Sequence, residues 1–175
     1  HSNGVWDLFL TGCAPDAMYK FELLDANAAR LPLKADPFAR RMEAPPGNAC
    51  IVNASHHHWA DAQWMATRDR CCALDRPMSI YEVHLGSWRH ALDPAPRKLS
   101  YLELADQLVA YVKDMGFTHV ELLPITEHPF EGSWGYQPIG LFAPTHRHGD
   151  PDGFKVLVDA FHRAGIAVIL DWVAA

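Results

Sequence analysis

A carboxylate placed directly after an unbroken apolar run is the feature of this chain best positioned to do chemistry. Ile166-Ala167-Val168-Ile169-Leu170 leads straight into Asp171, so the side chain stands at a strand end and faces whatever lies above the sheet. There it can hold a sugar hydroxyl or orient a neighbouring His or Arg; as a capping or turn aspartate it would do neither. The second concentration of reactive and flat side chains is the segment from Pro124 to Gly149, which carries His128, Phe130, Trp134, Tyr136, Phe142, His146 and His148. A connection this long inside a compact α/β unit is functional or disordered, and its aromatic content argues against disorder. Flat rings suit the apolar face of a glucose unit, and equally suit packing of the loop onto the sheet; the residues alone leave both open.

Other chemistries find less support. A retaining glycosidase-type reaction needs two carboxyl groups about 5–5.5 Å apart, and no spacing among the 21 acidic residues nominates such a pair. His84 and Ser87 share a strand end with no evident orienting acid, which is weak as a nucleophile constellation. No Gly-rich phosphate loop is present. Cys13, Cys50, Cys71 and Cys72 offer no C-x-x-C spacing, so no metal is expected and they read as free thiols of a reducing cytoplasm. His119, His128, His146, His148 and His162 read as surface or hydrogen-bonded structural groups.

The net charge is −6, from 15 basic and 21 acidic residues, and the densest basic cluster is the pair Arg40-Arg41. That disfavours nucleic acid, which requires a clustered basic face. No apolar run approaches the ~20 residues of a membrane span, and His1–Trp6 shows no signal-peptide pattern. Eleven histidines and six tryptophans suit a neutral sugar ligand better than a charged one.

The elements that must position these residues divide in two. Through residue 55, short alternating stretches such as Val5–Leu10 and Met18–Leu23 are punctuated by Thr11-Gly12, Asp36-Pro37 and Pro45-Pro46-Gly47, the pattern of an all-β sandwich. Residues 56–77 are polar and aromatic and read as a linker lying across a surface. From residue 78 the pattern alternates strand and helix. Ser79–Leu85 is a strand; Ser100 with Glu103 is a capping box opening a helix with Leu104, Leu108, Val112 and Met115 on one face and Gly116 at its end. Thr118–Leu123 is a second strand. Asp150-Pro151 opens a second helix with Phe154, Leu157, Val158 and Phe161 on one face, and Gly165 ends it. Ile166–Leu170 has the composition of a strand buried on both faces. Right-handed crossovers on a parallel sheet follow, open or closed; an eight-stranded barrel takes ~250 residues, more than the 175 given.

These residues resemble a known family. Tyr81-Glu82-Val83-His84-Leu85-Gly86-Ser87-Trp88 is similar to the first-strand motif of bacterial glycogen branching enzymes. Glu121-Leu122-Leu123-Pro124-Ile125-Thr126-Glu127-His128-Pro129 is similar to their second strand. Gly132-Ser133-Trp134-Gly135-Tyr136-Gln137-Pro138 through Thr145 resembles the long loop that follows, and Leu170-Asp171-Trp172-Val173 the opening of the first shared motif of the α-amylase superfamily. Upstream, Lys20–Leu23, Lys34–Ala39 and Ser55–Trp64 resemble the end of a starch-type carbohydrate-binding module and its junction with the barrel.

The resemblance implies residues 1–55 as the C-terminal part of a β-sandwich carbohydrate-binding module, 56–77 as the linker, and 78–175 as the first three β/α units of a (β/α)8 TIM barrel. It implies that Tyr136 stacks on the glucose at the cleavage subsite, that Asp171 supports the same subsite, and that Trp134 and Gln137 shape its wall. The nucleophile and acid/base are expected beyond Ala175, leaving the isolated chain inactive. The implied reaction cuts an α-1,4 glucan and transfers the chain to a 6-hydroxyl. The implied partner is an α-glucan polysaccharide such as glycogen or amylose, with no cofactor, a cytoplasmic location and a monomeric parent. Trehalohydrolases or debranching enzymes of the superfamily, which usually carry Asp or Asn where Gln137 stands, are the alternative. A non-catalytic glucan-binding polypeptide is the other.

Overall fold

The computed structural model describes residues 7–71, 73 and 75–174; the strand start at Val5-Trp6 and the thiol of Cys72 lie outside the described residues. The N-terminal part is sparsely ordered into strands. β1 (Met18–Tyr19) pairs antiparallel with β2 (Cys50–Ile51), and isolated bridges join Phe21 to Lys34, Leu24 to Arg30 and Met42 to Cys50. Its small core is Ala39, Met42 and Cys50, closed by Ala143 from far along the chain. Leu8–Leu10, expected as a strand, forms none, and Leu8 and Phe9 are 80% and 88% exposed. An alternating pattern without a ladder partner has nothing to bury its apolar face against.

The span 56–77, expected as a linker, contains α1 (Ala62–Cys71). Only Trp64 of this helix is buried. A single buried aromatic leaves no apolar period to read, so the helix is held by tertiary contact rather than by an amphipathic face.

The remainder is built on a three-stranded parallel sheet. β3 (Ile80–Val83) is followed by a one-turn helix α2 (Leu85–Trp88), the two-residue ribbon strands β4 (His90–Ala91) and β5 (Arg97–Lys98), and α3 (Tyr101–Asp114). Next come β6 (His119–Leu122), β7 (Thr126–Glu127), β8 (Gly140–Pro144), α4 (Pro151–Arg163) and β9 (Ala167–Leu170). The sheet order is β3-β6-β9, all parallel, in the register Ile80↔His119↔Ala167. Both halves of the Ser100–Glu103 capping box are formed, and Asp150 caps α4 through the backbone N–H of Gly153, with Pro151 at the first turn.

One face of the sheet carries Tyr81, Val83, Val120, Leu122 and Val168 into a core with Leu104, Leu108, Val112, Leu157 and Phe161 of the two helices. Side chains alternate along a strand, so the opposite face carries Glu82, Glu121 and Ile169, which share one register layer. β9 was expected to be buried on both faces. Instead Val168 and Ile169 are half-buried and Leu170 is 47% exposed, because β9 is an edge that pairs only with β6 among the described strands.

The N-terminal part is fastened to α4 along one stripe. Asp152, Lys155, Asp159 and His162 recur at helical spacing on one side of the helix. Ser55 Oγ and the His56 N–H donate to Asp152 at 2.7 and 2.6 Å, and Lys155 also reaches Ser55. The Ala60 N–H donates to Asp159 at 3.0 Å, His162 Nδ1 meets Asp61 at 2.8 Å, and the His162 ring stacks on Trp64 at 5.1 Å.

Candidate functional site

The C-terminal ends of the three parallel strands deliver His84, the Leu123-Pro124 turn and Asp171 to one edge. This is the end at which α/β sheets collect function. The segment from Pro124 to Gly149 folds back over that edge. Within it β7 and β8 form an antiparallel pair that the sequence did not foretell, and a short 3₁₀ turn spans Glu131–Ser133.

That turn aims the aromatic residues. Ser133 Oγ donates to the Phe130 carbonyl at 2.7 Å, and the N–H groups of Trp134 and Tyr136 donate to the carbonyls of Glu131 and Ser133. Trp134 then takes a left-handed backbone conformation, φ 54° and ψ 26°, and Gly135 follows at φ 90°. Left-handed geometry is costly for a bulky residue and free of that cost for glycine, so the reversal at Trp134 is the one held by its surroundings.

The result is a direct contact: the Tyr136 hydroxyl donates to Asp171 Oδ2 at 2.7 Å. The bond to Asp171 raises the Tyr136 phenol above its ordinary value, with smaller contributions from burial and from the charges of Asp171, Glu82 and Glu121. Those two glutamates lie on the sheet face away from the helices. The register that places them side by side was readable only once the strands were paired; their matching positions in Tyr81-Glu82-Val83 and Val120-Glu121-Leu122 were the available signal.

Trp134 lies stacked on His84, ring centroids 4.9 Å apart and planes 12° from parallel. His84 Nδ1 is 2.9 Å from Ser87 Oγ, so the Ser–His pair read from the sequence is formed, at the junction where β3 passes into the short helix α2. Burial, with Lys98 and His128 nearby, lowers the His84 pKa and favours the neutral ring. Gln137 is exposed beside Tyr136, and among the described residues its side chain makes no hydrogen bond. Tyr136 and Asp171 are thus brought into contact, while Trp134 rests on His84 and Gln137 is adjacent to Tyr136 through the chain alone.

Three further contacts brace the site. Trp172 Nε1 donates to the Leu141 carbonyl at 2.8 Å, and Phe142 stacks between Trp172 and Phe38, at 5.9 and 5.7 Å. These tie the residue after Asp171 to β8 and to the N-terminal part. Below the loop, Glu127 is 1% exposed. It accepts from the His146 N–H and pairs with His146 Nδ1, each at 2.8 Å, and from Arg147 Nη1 at 2.9 Å. Arg147 Nε also reaches Glu131 at 2.6 Å, and Lys98 pairs with Glu131. Tyr101, fully buried, donates to the Thr145 carbonyl at 2.9 Å. The two ends of the loop are thereby stitched to each other and to α3.

The histidines resolve individually. His128 Nδ1 meets the Thr126 carbonyl and His148 Nδ1 the Leu99 carbonyl, both buried; His119 contacts Thr118, and His146 and His162 pair with Glu127 and Asp61. Each serves the structure. No cluster of His, Cys, Asp or Glu fit to hold a metal ion exists among the described residues, and no helix among them is long and apolar enough to cross a membrane.

Residues 104–175 match the family described as alpha amylase, catalytic domain. The chain is 59% identical over 174 residues to the 1,4-alpha-glucan branching enzyme GlgB of Rubrobacter xylanophilus, covering 99% of this chain and 24% of that protein. It is 55% identical over 175 residues to GlgB of Paramagnetospirillum magneticum, again covering 99% of this chain and 24% of the relative. The chain spans about a quarter of the length of the curated relatives it matches. Among solved structures, a putative α-amylase from Salmonella typhimurium superposes with a TM-score of 0.68 at 24% sequence identity, covering 92% of this chain and 24% of that one. At that identity the likeness concerns the fold, an α/β architecture of TIM-barrel type.

Proposed function

Because the chain belongs to the 1,4-α-glucan branching enzymes of the α-amylase superfamily, we propose that it is a segment of an enzyme that cuts an α-1,4 glucan and passes the freed chain to a 6-hydroxyl. The observation that carries this reading at the level of the site is the Tyr136–Asp171 hydrogen bond of 2.7 Å at the C-terminal ends of the parallel strands. It sets an aromatic ring and a carboxylate side by side, the pairing that a glucose unit needs: a flat surface for its apolar face and an acceptor for its hydroxyls.

In this reading Tyr136 stacks on the glucose next to the bond that is cut and Asp171 accepts from its hydroxyls. Trp134 and Gln137 form the adjoining wall. The three parallel strands and two crossover helices are the first part of the eight-stranded barrel, with the helix of the third unit not among the described elements. Residues 1–55 are the C-terminal part of a carbohydrate-binding module, and 56–77 join it to the barrel. The enzyme works on glycogen or amylose in the cytoplasm, as a monomer.

A retaining transfer requires a carboxylate nucleophile and a carboxylic acid about 5–5.5 Å apart, and a covalent glycosyl-enzyme that an acceptor sugar can reach before water does. We assign these two groups to the three quarters of the relatives' length that this chain does not span. The contribution of the present residues is to hold the sugar in register with them, which is an orientation effect.

The test uses a full-length protein carrying this sequence. Incubation with amylose yields new α-1,6 linkages, detected by proton NMR and by release of short chains with a debranching enzyme. Tyr136→Ala lowers kcat/KM by about 10- to 100-fold, the cost of a lost positioning contact. The 175-residue chain alone produces no linkages. Hydrolysis or trehalose release without new α-1,6 linkages overturns the reading.

A further inference from the structure

We propose that His84 is a positioning residue of the glucan site: its ring carries Trp134, and through the left-handed pair Trp134-Gly135 it sets Tyr136 against Asp171. The inference rests on the reading of Tyr136 and Asp171 as glucan contacts.

The argument begins with strand order. β3 and β9 are not neighbours; β6 lies between them. His84 directly follows β3 and Asp171 directly follows β9. The segment after β6 connects the two, through the Trp134 ring on His84 at one end and the Tyr136 hydroxyl on Asp171 at the other. The three residues Trp134–Tyr136 form a belt across the mouths of three strands, fastened at both ends by side chains.

The belt is wound in a conformation that suits Gly135 but that Trp134 does not favour. Trp134 at φ 54° and Gly135 at φ 90° reverse the backbone twice. Conformations of this kind persist only where surrounding contacts over-determine them, and they cluster where a ligand must be met. The near-parallel stack on His84 is such a contact. Trp134 remains 51% exposed, so one face of the indole rests on the imidazole while much of the ring stays open to a sugar.

His84 is itself prepared for the role. Its Nδ1 is tied to Ser87 Oγ at 2.9 Å. The adjacent Gly86 leaves space for the ring, since a Cβ there would stand 2.9 Å from His84 Cε1. A ring fixed on one side by a hydrogen bond and given clearance on the other is a platform, and only its stacked partner is a site residue.

The experiment is a double-mutant cycle in the full-length protein, reading kcat and KM for chain transfer on amylose together with the melting temperature. His84→Ala is expected to lower kcat/KM about tenfold, while His84→Phe, which keeps a flat ring, returns it to within about twofold of the parent. Combined with Tyr136→Ala, His84→Ala is expected to add no further loss, because residues that act through one another are not additive. Should His84→Ala fail to fold, Ser87→Ala releases the ring without removing it, and the same cycle with Tyr136→Ala is read. Losses that multiply, or a His84→Phe variant no better than His84→Ala, overturn the positioning role alone. A Tyr136→Ala variant with unchanged kcat/KM overturns the site reading, and this inference with it.

Discussion

A Cβ built on Gly135 would stand 2.2 Å from the carbonyl oxygen of Pro124. The backbone that presents Tyr136 therefore passes against the turn at the end of β6 with no space for any side chain, and at φ 90° it would resist one even in open space. Gly135→Ala is expected to destabilise the fold by about 1–3 kcal/mol, the usual cost of strain at such a position. It is also expected to separate Tyr136 from Asp171. Thermal unfolding reads the first effect and the tyrosine titration described next reads the second; an unchanged melting temperature would contradict the assignment.

The Tyr136–Asp171 bond has its own signature at high pH. The bond raises the phenol's pKa, so the protonated phenol is the form the fold favours. Its stabilising contribution is complete below about pH 10, where an unfolded tyrosine titrates, and is lost as pH rises through the higher folded value. In Asp171→Asn the phenol is expected to titrate closer to pH 10. Ultraviolet difference absorbance on wild type and variant, with Tyr136→Phe to assign the signal, measures the shift; a tyrosine titration indifferent to Asp171→Asn would show that the bond does not persist in solution.

Glu127 is the buried anchor of the loop. With the side chain 1% exposed and paired to Arg147 Nη1 at 2.9 Å, Glu127→Ala takes away the buried one of Arg147's two carboxylate partners and leaves the largely buried guanidinium only the exposed Glu131. Breaking a buried pair from one side costs about 3–5 kcal/mol. Replacing both residues, as in Glu127→Leu with Arg147→Met, is expected to recover much of that loss. Urea unfolding of the single and double variants decides between a cooperative pair and two independent contacts.

His148 ties stability to acidity. Burial lowers its pKa to about 4, against a usual 6.5, and outweighs the raising effect of its bond to the Leu99 carbonyl. Between those values the unfolded chain holds a proton that the folded chain refuses, so stability is complete above pH 6.5 and declines as pH falls toward 4. The loss is on the order of 3 kcal/mol. His148→Asn is expected to flatten this slope in a series of urea melts, leaving the smaller contributions of His84 and His128, whose values are also lowered by burial.

What the sequence disclosed was local in origin. Ser100 and Glu103 are three residues apart and cap the same turn. Asp150 and Pro151 open α4 by preferences that operate within one turn, and the helices follow their apolar period. Asp171 could be placed because a strand end needs only its own residues to define it. The helix Ala62–Cys71 went unread because its stabilising contact, Trp64 on His162, joins residues far apart in the chain. The same holds for Trp134 on His84 and for Glu127 with Arg147: each pair is chosen by the fold rather than by neighbours. Tyr136 and Asp171 were singled out separately, one from its loop and one from its strand; their hydrogen bond belongs to the tertiary structure.

The stripe on α4 has a consequence in time. Ser55, His56, Ala60 and Asp61 find their partners 96 to 101 residues further along the chain. On a ribosome adding about 5–20 residues per second, those partners emerge on the order of ten seconds later. Until then the residues that seat the N-terminal part have nothing to seat against. The N-terminal part, though made first, is expected to dock late, after β6 and α4 have closed their crossover, so that the order of synthesis and the order of assembly run in opposite directions.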